Sequence, residues 1–207
     1  MIALVDYDAG NLHSVLKAAQ ATGLDAVRTS APVDVAAADA VILPGVGNFP
    51  ACMRRLESDG LAEPLRRHLA SGRPFLGICL GLQLLFEWGD EGGGAPGLGV
   101  LPGRVREIAA SPGLKIPHMG WNALRFQRRS PLFAGIAEGE YFYFVHSFQA
   151  LPGDAADLVA TVDHGEAVTA AVGRGAVHAV QLHPEKSSRA GLRLLANFGR
   201  IVAGDLR

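Results

Sequence analysis

Apolar and polar positions along the first ninety residues follow two alternating rhythms. IALVDY (2–7) is a short apolar run and predicts a strand. Asn11 then precedes Leu12, Val15, Leu16 and Ala19, which are spaced as on one helical face, so Asn11 is expected to cap a helix that Gly23 ends. A short strand is expected around Asp25–Arg28, followed by a buried strand over AVILPG (40–45), stopped by Pro-Gly. Residues 49–71 put Met53, Leu56, Leu61, Leu65 and Leu69 on one side and arginines on the other, as in one or two amphipathic helices. PFLGI (74–78) predicts the next strand and LGLQLLFEW (80–88) the next helix. Such alternation means a parallel sheet covered on both faces.

The second half changes character. GDEGGGAPGLGVLPG (89–103) reads as a loop, and beyond it VREI, ALRF, EYFYFVHSFQA, LVATVD, AVTAAV and AVHAVQLH are strand-like. Helical spacing returns only in SSRAGLRLLANFGRIV (187–202). The expected fold class is α/β: a mostly parallel central sheet flanked by helices and elaborated by antiparallel strands, in a single domain over residues 1–207.

Composition narrows the functions available. Of the 207 residues 49% are hydrophobic and 19% charged, which suits one large core. A net charge of −1 gives no electrostatic reason to expect nucleic acid or an acidic membrane surface. MIALVDYDAG carries two aspartates and no basic region, so a signal peptide is not expected, and no apolar run reaches the ~20 residues of a membrane span. Two cysteines in such different contexts, Cys52 and Cys79, do not suggest a disulfide framework, and a cytoplasmic protein is expected.

Candidate chemistry begins at Cys79. Gly77-Ile78-Cys79-Leu80-Gly81, between a predicted strand and a predicted helix, is a thiol version of the nucleophile elbow. The turn exposes the side chain, the glycines admit close packing, and a helix N-terminus favours the thiolate. The backbone N–H of Leu80 would face an oxyanion forming on a substrate. By itself the pattern fits a small buried core cysteine equally well. Cys52, among Met53 and Leu56, reads as core.

A thiol nucleophile needs a base. His183 ends AVHAVQLH, which is expected to run as a buried strand until Pro184 stops its ladder, placing His183 at a strand's C-terminal edge where α/β sites gather. Glu185, two residues on, suits the orienting third member of a triad. PGVG (44–47) is the third piece: Val46 lies between Gly45 and Gly47, so its peptide can turn at little steric cost and offer N–H groups to an oxyanion. Alone, PGVG reads as an ordinary strand-to-helix turn. Gly92-Gly93-Gly94-Ala95-Pro96-Gly97 fits a dinucleotide fingerprint formally, but it follows a predicted helix and opens none. No Walker lysine or metal-ligand spacing occurs, and neither metal nor organic cofactor is called for.

PGVG, GICLGLQLL and HPE, in this order, resemble the class I (triad-type) glutamine amidotransferases over nearly the whole chain. KIPHMGWN (115–122), YFYFVHSF (141–148), GLGVLPG (97–103) and QLHPEKSS (181–188) look more narrowly like the glutaminase subunits of imidazole glycerol phosphate synthases, of histidine biosynthesis. The resemblance implies Cys79 as nucleophile, His183 as general acid/base and Glu185 as its orienter, with Val46, Gly47 and Leu80 at the oxyanion. It implies a glutamine pocket from Gly45, Gln83, His146, Ser147 and Phe148. It also implies a (β/α)8-barrel cyclase partner, faced by Lys115, Pro117, His118, Met119, Trp121, Asn122 and Lys186, which receives the ammonia. Because the Val46 peptide can turn away between its glycines, the free subunit is expected to be nearly silent until the occupied partner switches it on. Rival readings are a cysteine peptidase or γ-glutamyl hydrolase on the same scaffold, a binding subunit without chemistry, and a glutaminase serving another synthase.

Overall fold

The computed structural model describes residues 1–109 and 113–206. The chain runs β1 (Ile2–Val5), α1 (Leu12–Ala21), β2 (Ala26–Thr29), α2 (Pro32–Ala37), β3 (Ala40–Gly45), α3 (Phe49–Ser58), α4 (Ala62–Ala70), β4 (Phe75–Cys79) and α5 (Leu80–Gln83). It continues through β5 (Phe86–Gly89), β6 (Ala95–Pro96), β7 (Leu101–Glu107), β8 (His118–Ala123), β9 (Arg125–Phe126), β10 (Tyr141–His146), β11 (Phe148–Pro152), β12 (Leu158–Asp163), β13 (Ala167–Arg174), β14 (Val177–Val180) and α6 (Ser188–Ala203).

The main sheet has the order β2-β1-β3-β4-β14-β13-β12-β9. Its first five strands are parallel, and the last three pairings are antiparallel. Successive residues of the buried strands feed opposite cores: Ile2, Leu4, Ala40 and Ile42 join α1 and α6, while Ala3, Val5, Val41 and Leu43 join α3 and α4. This is the expected parallel core with antiparallel elaboration. Asn11 caps α1, its side chain accepting from the Ser14 N–H at 3.4 Å, and Asn48 caps α3 in the same way through Ala51 at 3.1 Å. The helical stretch 49–71 is two helices, divided around Gly60.

Three expectations change. The helix expected over 80–88 stops after Gln83, and Phe86–Gly89 becomes β5, paired with β6 and β7. Leu80 to Phe86 are all buried, so this run has no polar face by which periodicity can separate helix from strand, and long-range pairing decides. Part of the expected loop 89–103 is ordered: Glu91–Gly93 is a 3₁₀ turn, Ala95–Pro96 pairs with β5, and β7 starts at Leu101. The strand expected to run to Pro184 ends at Val180. Beyond it the His183 N–H turns to the Tyr143 carbonyl at 2.9 Å, so a change of partner rather than proline ends the ladder. Among the described residues no helix is long and apolar enough to cross a membrane.

Candidate active site

β4 delivers Cys79 with φ of 56° and ψ of −110°, a backbone that side chains of L residues seldom adopt. The two glycines allow it. A Cβ on Gly77 would stand 2.7 Å from the Gly81 carbonyl oxygen, and a Cβ on Gly81 would collide with the Leu43 carbonyl oxygen of β3. With no Cβ at either place, α5 lies directly against the sheet and the Cys79 side chain is turned to the C-terminal edge of the parallel strands.

β3 ends beside it. Gly45 is the ladder partner of Cys79, and a side chain there would meet Tyr7 and Leu80, so Gly45 packs behind the site and does not line the cleft. The Tyr7 hydroxyl donates to the Pro44 carbonyl at 2.9 Å, and the Cys52 thiol points at the Val46 carbonyl at 3.8 Å. The turn is therefore held from the core side while Val46 is exposed. Gly47, at φ of 106°, takes a conformation that a side chain would strain. Burial pushes the Cys52 thiol up to about 11, which keeps it protonated and inert.

The third arm follows β14. The His183 Nδ1–H donates to Glu185 Oε1 at 2.8 Å, with the two side chains only 3% and 1% exposed. The Ser187 hydroxyl donates to the His183 carbonyl at 2.6 Å and accepts from the Tyr143 N–H at 3.0 Å, bolting this turn to β10. Among the described residues the buried His183 Nε2 has no hydrogen-bond partner, leaving one ring nitrogen free for proton transfer. Burial alone would push the imidazolium down, but Cys79 and the Glu185 carboxylate outweigh it and raise it to about 10. Sulfur and carboxylate thus favour the imidazolium form of His183.

These groups open onto a cleft of about 350 Å³ lined by Val46, Gly47, Cys79, Leu80, Gln83, Glu91, Pro117, Val145, His146, Ser147, Phe148 and His183. His146 does not present a free ring: its Nδ1–H donates to the Phe148 carbonyl at 2.8 Å and its Nε2 accepts from His118 Nδ1 at 3.0 Å. His118 in turn accepts from the Asn122 side-chain amide at 3.1 Å. Both imidazoles are held neutral. Burial, with His146 and His164 nearby, pushes His118 down to about 3, and burial pushes His146 down to about 4.

His118 departs from the expected surface role, since it is only 4% exposed and stacks on Phe144. Strand alternation explains this: on β8 His118 points inward while Met119 and Trp121, 62% and 52% exposed, point outward. Lys115 and Pro117 are exposed and Asn122 is half-buried. Lys186 is exposed with its ammonium 5.6 Å from the Tyr143 ring centroid.

Three residues at the site were not singled out by the sequence: Val145, which lines the cleft from β10, and two polar residues. Glu91 lines the cleft from the glycine-rich segment and accepts the Phe49 N–H at 2.7 Å, and no periodicity marks it. Gln181 reaches the Cys79 sulfur. Its signal was available, because it stands two residues before His183. Among the described residues no cluster of three or more His, Cys, Asp and Glu could hold a metal ion.

Comparison with known proteins bears on this geometry. Imidazole glycerol phosphate synthase subunit HisH of Synechococcus elongatus is 52% identical over 204 residues, covering 98% of this chain and 94% of the relative. The subunit of the same name from Syntrophotalea carbinolica is 50% identical, covering 96% and 99%. Among solved structures, one described as a glutamine amidotransferase superposes with a TM-score of 0.76 at 20% identity, covering 99% of this chain and all of that one. The PurLQS structure from Thermotoga maritima gives 0.69 at 18%, covering 98% and 97%. At these identities the two structures speak for the fold alone. The profile of glutamine amidotransferase class-I matches residues 3–202, taking in the Cys79 elbow, the PGVG turn and the His183–Glu185 pair, and the chain belongs to that family.

Proposed function

We propose that the chain, as a single glutamine amidotransferase domain, is the glutaminase subunit of an imidazole glycerol phosphate synthase. It hydrolyses L-glutamine to glutamate and ammonia. The ammonia passes to a (β/α)8-barrel cyclase subunit, in a cytoplasmic heterodimer, for formation of imidazole glycerol phosphate and AICAR in histidine biosynthesis. The observation that carries this reading is the strained Cys79 elbow and the His183–Glu185 pair on one cleft, in a chain that matches subunits of that name almost end to end.

The chemistry follows from the groups present. The Cys79 thiolate adds to the side-chain amide carbon of glutamine, and the negative charge moves to the amide oxygen, against backbone N–H groups of Leu80 and the Val46–Gly47 turn. As the tetrahedral adduct collapses, the C–N bond breaks and His183 gives its Nε2 proton to the departing nitrogen, which leaves as ammonia. Water then adds to the thioester with His183 as base, releasing glutamate and regenerating the thiol. Glu185 keeps the Nδ1 proton in place throughout. Glu91, the one carboxylate on the cleft wall among the described residues, is suited to the substrate's α-ammonium, and Gln83, His146, Ser147 and Phe148 line the same cleft. Outside the cleft, exposed Met119 and Trp121 with Lys186 form an apolar and cationic face that supports docking of the cyclase there.

The test separates the two half-reactions. In the complex, Cys79→Ala is expected to abolish synthesis from glutamine and to leave synthesis from ammonium salts intact. Loss of both at equal protein levels would refute this division of labour.

A further inference from the structure

The only side-chain hydrogen bond to the Cys79 sulfur among the described residues comes from Gln181, whose Nε2 lies 3.6 Å away. Gln181 follows directly on β14 and is fully buried, its backbone N–H tied to the Ala170 carbonyl at 2.8 Å. Its amide direction is set from behind. Gln83 Nε2 donates both to the Phe148 carbonyl at 3.0 Å and to Gln181 Oε1 at 2.9 Å. A backbone carbonyl only accepts, so Gln83 must turn its NH2 this way. Gln181 then has to offer its oxygen to Gln83 and its NH2 to the sulfur. Reversing the Gln181 amide would set two NH2 groups against each other and an oxygen lone pair against a thiolate.

We propose that Gln181 is a further catalytic residue, whose side-chain N–H holds and stabilises the Cys79 thiolate, with Gln83 polarising and aiming it. The inference rests on Cys79 being the nucleophile. A hydrogen bond to an ion is the strong kind, and burial keeps water from replacing it. The donor also settles where the sulfur rests while no substrate is bound. Among the described residues nothing then hydrogen-bonds His183 Nε2, which stands ready for the leaving nitrogen.

The experiment compares three variants of the full chain by the rate at which iodoacetamide alkylates Cys79 at pH 7, read site by site by mass spectrometry. Thermal unfolding serves as the fold control. Gln181→Met keeps length and removes the donor, and is expected to slow alkylation about tenfold, the effect of losing one hydrogen bond to a charged group. Gln181→Asn withdraws the N–H by one methylene and is expected to slow it similarly, which keeps the test open if the methionine variant does not fold. Gln83→Met cuts the tether and leaves the donor, and is expected to slow alkylation less than about threefold, since only aim is lost. With the partner present, both Gln181 variants should lower kcat for glutamine with KM little changed.

Wild-type alkylation rates in both Gln181 variants, or an equal effect of Gln83→Met and Gln181→Met, would overturn the inference. The reading beneath it fails separately: if Cys79→Ala retained glutaminase activity, the nucleophile itself would be misassigned.

Discussion

Replacing Glu185 by glutamine isolates what one buried charge does for the base. Among the described residues the carboxylate uses only Oε1, 2.8 Å from His183 Nδ1, and its buried Oε2 has no partner. An amide can therefore place its oxygen on the Nδ1–H and its NH2 where Oε2 now stands. The imidazole tautomer is kept and only the negative charge is lost. A hydrogen bond to a charged group contributes about 1.5–3 kcal/mol and one between neutral groups about 0.5–1.5 kcal/mol, so losing the charge alone should lower kcat about five- to twelvefold. Cys79→Ala leaves no nucleophile and should cost far more. Folding stability gives a second readout with a defined sign. His183 is raised to about 10 in the folded chain against an ordinary ~6.5. Its charge therefore contributes stability that is complete below pH ~6.5 and lost as pH rises through about 10. The deficit of Glu185→Gln should be largest near pH 6 and should shrink towards pH 10. Urea unfolding at both pH values, with glutaminase turnover in the complex, measures this. A kcat loss equal to that of Cys79→Ala, or a stability deficit that grows with pH, would refute the reasoning.

Further outcomes follow from the same geometry. His118, His146 and His178 are pushed down by burial to about 3, about 4 and about 4, so each contributes stability that is present above pH ~6.5 and lost as pH falls towards those values. Unfolding free energy should drop by at least about 1.4 kcal/mol per pH unit between pH 6 and pH 5, and a flat profile in that window would contradict their neutral burial. Gly81→Ala drives a Cβ into the Leu43 carbonyl oxygen and should cost about 1–3 kcal/mol or more together with most glutaminase activity, read by thermal unfolding and turnover; a stable, fully active variant would show that the elbow tolerates a side chain. The free chain should turn over glutamine about 10²–10³-fold more slowly than the complex with its nucleotide ligand, the value of one oxyanion donor, because the Val46 peptide between Gly45 and Gly47 can rest turned away. Equal steady-state rates alone and in the liganded complex would remove that switch.

Features legible along the chain are local. Apolar runs a few residues long with turn residues at their ends mark β1, β3 and β4, and Asn11 marks the start of α1, because these signals act within a few residues of backbone. The same holds for Gly77 and Gly81 around Cys79, and for Glu185 two residues from His183, where spacing alone brings groups together. Everything that required distant strands to meet was decided by tertiary structure. Leu80 to Phe86 is apolar almost throughout, and only pairing with β6 and β7 makes its end a strand. The burial of His118 follows from β8 lying against β10, and the amide direction of Gln181 from Gln83 and Phe148, 98 and 33 positions away along the chain. A hydrogen bond or a buried face needs its partner in place, and periodicity along one stretch carries no information about which distant stretch will supply it.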